Sequence, residues 1–223
     1  NGQHIKNIPV ALVGQATHLT QRHVQGNFLA IQILFKPGGF FRLTGIPSPD
    51  INNSYLEADL VFGPKVHEVN ERFYFAHNYL EIAHIANDFV LSLAKNLKKD
   101  FHPVDTIGNL LLYQPKMSLN TMARGAFLSI KQFDRKFKER NGINPKLFSR
   151  LARFDQTFRE KNLSPNRDWT QIAYACDYYD YQHLVLDYLD FTGMKPTQFY
   201  QMELGAPERK FGLAEHYYDS QII

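Results

Sequence analysis

Apolar positions along the chain change period twice. Between Ile8 and Phe35 they form two short runs, Ile8 to Gly14 and Phe28 to Phe35, rich in aliphatic and aromatic residues. Gly14 ends the first and Pro37-Gly38-Gly39 stops the second, so both read as β-strands. Residues 44–53 hold Gly45, Pro47, Pro49, Asp50, Asn52 and Asn53, which is turn chemistry for a loop. From residue 64 to 99 the spacing becomes helical. Val66, Val69, Phe73, Ala76, Leu80 and Ala83 recur every three or four residues, as do Ile82, Ile85, Phe89 and Leu93. One or two helices are predicted here, with a break near Asn78. Phe101-His102-Pro103 then marks a boundary, because proline disfavours helix in the residue before it. Residues 204–223 show no period and read as a flexible end or a docking strand.

Residues 104–203 repeat themselves at an offset of 51 residues. Phe133 meets Leu184, Phe137 meets Tyr188, Gly142 meets Gly193, Pro145 meets Pro196 and Phe148 meets Phe199. Ser129 meets Asp180, and both residue types cap helix N-termini. Gly142 and Gly193 fall where a helix end favours a left-handed residue. Pro145 and Pro196 fall in a first helical turn, where a missing N–H costs nothing. One fold unit has been used twice.

Composition narrows the class. The 223 residues include one cysteine, which excludes a disulfide-built scaffold and points to a reducing compartment. There is no apolar run of about 18 residues to span a membrane, and no signal-peptide pattern. A cytoplasmic, nucleoid-associated protein is expected. Charge is unevenly placed: residues 116–161 carry 12 basic and 4 acidic side chains, net +8, and residues 162–223 carry 4 and 9, net −5. A basic block of this kind suits a polyanion such as nucleic acid, and equally a solvated helix surface.

The first copy of the repeat carries the chemistry. Leu119 to Ala126 reads as a short helix, and Ser129 with Gln132 forms a capping box for a second helix to about Arg140. Phe133 and Phe137 face the core, and Lys131, Arg135 and Lys138 share the other face. In a helix-turn-helix the second helix lies in the major groove and its first turns reach base edges. Arg135 and Lys131 suit guanine and Gln132 suits adenine. Arg124, Lys136 and Arg140 are placed for phosphates. After Pro145, Leu147, Leu151, Phe154 and Phe158 make an apolar stripe with Arg150, Arg153 and Arg159 outside it. A connecting helix of about 17 residues spans about 25 Å, near the length needed to hold two reading helices about one DNA turn apart.

These residues resemble the C-terminal DNA-binding domain of AraC-type transcription regulators. The family pattern S-x-R-x-L-x-R-x-F…G-x-x-P-x-x-F is met by Ser129, Arg135, Phe137, Gly142, Pro145 and Phe148, with Lys131 and Phe133 at its first Arg and its Leu. A second pattern is met by Asp168-Trp169, Ile172-Ala173, Cys176, Tyr178-Tyr179-Asp180, His183-Leu184, Asp187-Tyr188, Gly193, Pro196 and Phe199. Phe35, Pro37, Gly38, Leu43, Gly45 and Pro47 are similar to a motif in the sensor domain of one subgroup. The resemblance implies an α+β chain. Residues 1–103 would be a β-rich, cupin-like sensor or dimerisation domain, complete or incomplete, with trailing helices. Residues 104–203 would be an all-α domain of two helix-turn-helix units joined by a long helix, and 204–223 a tail. It implies sequence-specific binding of double-stranded DNA, gated by the N-terminal domain, with no catalysed reaction and no cofactor. A small-molecule effector at that domain, a homodimer and contact with RNA polymerase are implied partners; a membrane is not.

The chain departs from the family pattern in the second copy, where Leu186 stands for an Arg and Asp177 for a turn Gly. No Lys or Arg occurs from Asp168 to Asp190, so Asp177, Asp180, Asp187 and Asp190 are expected to face and repel an anionic duplex. Readout from this copy therefore falls to Tyr181 and Gln182 alone. The alternative is a degenerate regulator acting as a protein–protein adaptor through its acidic second unit. Among other features, His77 and His84 are seven apart, a spacing unlike a helical metal site, and no metal is expected. Cys176 reads as a small core hydrophobe. Phe40, Phe41, Phe73, Tyr74 and Phe75 read as core aromatics, with an apolar ligand pocket as the alternative.

Overall fold

The computed structural model describes residues 8–19, 29–95 and 101–206. In chain order these form β1 (Ala11–Val13), α1 (Gly39–Thr44), a 3-10 turn (Ser48–Ile51), β2 (Tyr55–Glu57), α2 (Asp59–Phe62), α3 (Lys65–Tyr74), α4 (Tyr79–Ala94), α5 (Pro103–Leu111), α6 (Leu119–Gly125), α7 (Ile130–Asn141), α8 (Pro145–Leu163), α9 (Trp169–Ala175), α10 (Tyr181–Thr192) and α11 (Pro196–Leu204). They divide into two compact units. One holds the described residues up to Leu110 together with Ser118–Pro145; the other holds Leu111–Met117 and the described residues from Lys146.

The first unit overturns the expected β-rich, cupin-like domain. Among the described residues there is one sheet, a two-stranded antiparallel ladder with Leu12 opposite Leu56. The rest of the regular structure is helical. Residues 29–36 belong to no ladder, although Ile31, Ile33 and Phe35 are half-buried and Gln32 and Leu34 exposed. Alternation reports that one face of an extended segment rests on protein; it does not report a neighbouring strand. Phe35 packs on Phe40 and Phe62, each 6.1 Å away between ring centroids. The chain then turns at Gly38 (φ 74°) into α1. The expected loop 44–53 contains the 3-10 turn. The break near Asn78 is a helix start: the Asn78 side chain accepts from Glu81 N and caps α4.

Leu12, Phe40, Ile51, Ala58 and Val66 make one core cluster of the first unit. Elsewhere in it Val104, Ile107, Met122, Ala123, Phe133 and Phe137 are buried. The second unit is built on aromatic packing. Trp169 and Ile172 of α9, Leu184 and Tyr188 of α10, and Phe199 and Tyr200 of α11 enclose a core against which Phe154 and Phe158 of α8 pack. The Phe154 and Tyr188 rings lie 4.6 Å apart. Lys161 is buried here, donating to the carbonyls of Pro165 and Arg167 at 2.7 Å each, with its ammonium 5.3 Å from the centre of the Trp169 ring. From residue 207 the expected tail lies outside the described residues.

Candidate nucleic-acid interface

The pair α6–α7 is held by local chemistry. Ser118 caps α6 by accepting from Thr121 N. Ala126 ends that helix and Phe127 turns the chain with φ 57°. Ser129 and Gln132 then form a reciprocal capping box at the start of α7. Gly142 ends α7 with φ 88°. Phe133, Phe137 and Arg140 form its buried face. On the opposite stripe Lys131, Arg135 and Lys138 are exposed, as is Arg124 on α6. Among the described residues these four cations carry no ion pair and no side-chain hydrogen bond.

Other expected contacts are engaged elsewhere. Arg140 is buried and bonded through Nε and Nη2 to the two Asp105 oxygens at 2.7 Å each, with its guanidinium 4.6 Å from the centre of the Phe41 ring. It is therefore a structural residue and not a phosphate contact. The Gln132 Oε1 accepts from Ser129 N at 3.1 Å and Ser129 Oγ at 2.9 Å, so the amide is committed to the cap and not presented whole to adenine. Ser129 is likewise occupied as a cap. Lys136 is half-buried and paired with Glu139 at 2.9 Å. Tyr181 is half-buried against the core of the second unit, which leaves Gln182 exposed.

The end of α7 is clamped from the N-terminal part of the chain. Ser48 Oγ donates to Arg140 O at 2.8 Å, and Asn52 Nδ2 donates to Gly142 O at 2.7 Å. A Cβ on Gly38 would lie 2.1 Å from Asp105 Oδ1, and one on Gly142 would lie 2.4 Å from Asn52 Oδ1. Sequence reasoning missed this clamp. Its signal was the stripe itself: Arg140 falls three residues after Phe137, on the apolar face.

In the second unit α9–α10 repeats the arrangement with different charges. Asp168 caps α9, and hydrogen bonds from Thr170 hold its carboxyl below the usual carboxylate range. Asp177 carries the turn with φ 68°, where Asp is tolerated better than most residues. The four carboxylates do not form a free acidic face. Asp177 pairs with Lys116 at 2.7 Å, and Asp180 caps α10 by accepting from His183 N at 2.8 Å. Asp187 is buried, bonded by Arg150 Nε at 2.9 Å and Tyr178 OH at 2.9 Å, with Arg153 at 3.7 Å. Asp190 takes Arg150 Nη2 at 2.6 Å. Burial alone would lower the Arg150 guanidinium; its hydrogen bonds with Asp190 and Asp187 outweigh that and push it up. Burial raises the Tyr178 and Tyr188 phenols, and the neighbouring Asp187 adds to the first.

The remaining candidates stay apart. Phe40 is buried and Phe41 lies under Arg140, whereas Tyr74 and Phe75 are exposed, so the aromatics line no common pocket. An open groove of about 660 Å³ between α3 and α4 is bordered by Arg72, Phe75, Glu81 and His84. His67 hydrogen-bonds Asp59 at 3.0 Å and thereby lowers that carboxyl. No metal-ligating cluster occurs among the described residues, and none of their helices is long and apolar enough to cross a membrane. His4, His23 and His216 lie outside the described residues. Cys176 is buried in the second core, and burial pushes its thiol up to about 12. No family model matches the chain, and neither a characterised protein nor a solved structure is significantly similar to it.

Proposed function

We propose that the chain is a sequence-specific double-stranded DNA-binding regulator of transcription, of the AraC type, in which α6–α7 and α9–α10 act as helix-turn-helix units. The observation that carries this reading is the outer stripe of α7. Lys131, Arg135 and Lys138 are exposed without partners among the described residues, on a helix capped at its N-terminus and fixed along its other face. A rigid helix presenting cations from its first turns fits the major groove, where Arg135 pairs with guanine O6 and N7. Arg124 supplies a phosphate contact beside it. The clamp on α7 from residues 38–54 and Asp105 gives the N-terminal part of the chain a route to gate the reading helix. A ligand of that part, a homodimer and contact with RNA polymerase remain implications of the family resemblance.

The test is duplex binding at two salt concentrations. For about four neutralised phosphates log K falls with log[salt] at a slope near −3.6. Arg135→Ala is expected to weaken specific binding by about 1–3 kcal/mol and to relax preference at one base pair. Salt-insensitive binding, or an unchanged Arg135→Ala profile, overturns the reading.

A further inference from the structure

We infer that the second reading helix, α10, recognises A·T base pairs through thymine methyl groups, with Leu186 as the methyl contact and Gln182 as the adenine contact. This rests on the DNA-binding reading above. The argument begins with the repeat. On α10 the inward residues Leu184, Tyr188 and Phe191 stand at the positions of Phe133, Phe137 and Arg140 on α7. The outward residues Gln182, Leu186 and Leu189 therefore stand at the positions of Lys131, Arg135 and Lys138. All three are exposed, Leu186 at 60 %. The face that carries cations on α7 is uncharged on α10.

Of the carboxylates on this helix and its cap, Asp187 and Asp190 are paired with cations, and Asp180 is turned onto the backbone N–H of the helix N-terminus. Asp187 is buried under Arg150 and Arg153, and Asp190 is bound by Arg150. The chemistry of the face then selects its partner. In the major groove thymine alone presents a methyl group, and the opposite adenine presents an N6 donor beside an N7 acceptor. A leucine matches the first and a glutamine amide matches the second. Gln182 and Leu186 are four apart, on one face and within one turn. The Gln182 amide, unlike that of Gln132, is not tied into a cap, because Asp180 caps α10 alone. The two units thus read different sequences: guanine through Arg135 and A·T pairs through Gln182 and Leu186.

The experiment selects sites for the full chain from a random-sequence duplex library, then measures affinity for selected duplexes with thymine replaced by uracil one position at a time. Leu186 is exposed, so Leu186→Ala and Leu186→Arg leave the core intact. The wild type is expected to select a guanine-containing half and an A·T half, and to lose about fourfold in affinity for each contacted methyl removed. Leu186→Ala is expected to be indifferent to the same uracils, and Leu186→Arg to exchange the A·T preference for guanine. A selected site with uracil-insensitive affinity, and no change of preference in either variant, overturns this inference while leaving DNA binding by α7 intact. In that case the Leu186 face belongs to a protein partner. Failure to select any duplex overturns the DNA-binding reading as well.

Discussion

Asp105 and Arg140 offer the sharpest test of how α7 is held. Their side chains are 3 % and 2 % exposed, and the pair is bidentate at 2.7 Å on both arms. Asp105→Ala leaves a guanidinium buried over Phe41 without its counter-charge, which costs about 3–5 kcal/mol. That is a large part of the about 5–15 kcal/mol that stabilises an ordinary domain. With a urea dependence of about 2 kcal/mol/M the midpoint should fall by about 2 M. DNA affinity should fall with it, because the same Arg140 backbone accepts Ser48 at the end of α7. The informative control is Asp105→Ala with Arg140→Met, which removes both charges and keeps most of the apolar stem. It is expected to recover most of the loss, since the cost lies in the unpaired charge. Lys136→Ala, which removes a half-exposed pair, should cost under about 1 kcal/mol. A shift below about 1 kcal/mol for Asp105→Ala, or a double variant no more stable than the single one, refutes the argument.

Phe127 is 89 % exposed yet held at φ 57°, a conformation that strains a side chain with a Cβ. Phe127→Gly is expected to stabilise the protein by about 1 kcal/mol, seen as a raised Tm, and a lowered Tm argues against strain at this turn. Cys176 should resist a thiol reagent at pH 8 until denaturant is added, since its thiol is pushed up to about 12; stoichiometric labelling of the native protein would contradict its burial. The sign follows: its contribution to stability is complete below about pH 8.5 and is lost as pH rises towards the folded value, so Cys176→Ala should flatten the alkaline limb of the stability profile. A fragment beginning at residue 104 lacks Phe41, Ser48 and Asn52 and is expected to lose protection of the α7 amides in hydrogen exchange, whereas one beginning at residue 8, which keeps Leu12 of β1 in the core with Phe40 and Ile51, should keep it.

Local signals in the second half of the chain were strong enough to be read directly. The Ser129 capping box, the glycines at 142 and 193, the prolines at 145 and 196 and the buried Phe133 and Phe137 all lie where their spacing put them. Such features are set within one or two turns, so sequence suffices. Long-range features were not legible. Residues 29–36 look like a strand because their side chains alternate, but pairing depends on a partner segment that alternation does not reveal. The α5 helix is hidden because Pro103 reads as a boundary, whereas it is the first residue of that helix. The repeat also conceals a shift. The helices α6 and α9 match at an offset of 50 residues and α7 and α10 at 51, so the second turn is one residue longer.

Charge was the least legible property, and the reason is pairing. Counted along the chain, Arg140 belongs to a block that attracts DNA and Asp187 to one that repels it. In the fold each is a buried brace. Arg140 on α7 is held by Asp105 on α5, and Asp187 on α10 is held by Arg150 on α8, so the two copies use the same device with the charges exchanged. A buried guanidinium–carboxylate pair adds almost nothing to the field outside, since its two charges cancel within 3 Å. On the proposed reading a duplex would meet the remainder: three cations on the outer stripe of α7 and none on that of α10. On this reasoning the salt dependence of binding belongs to the first unit. If α10 reads DNA as proposed, the second would contribute through shape and methyl contacts that salt does not screen.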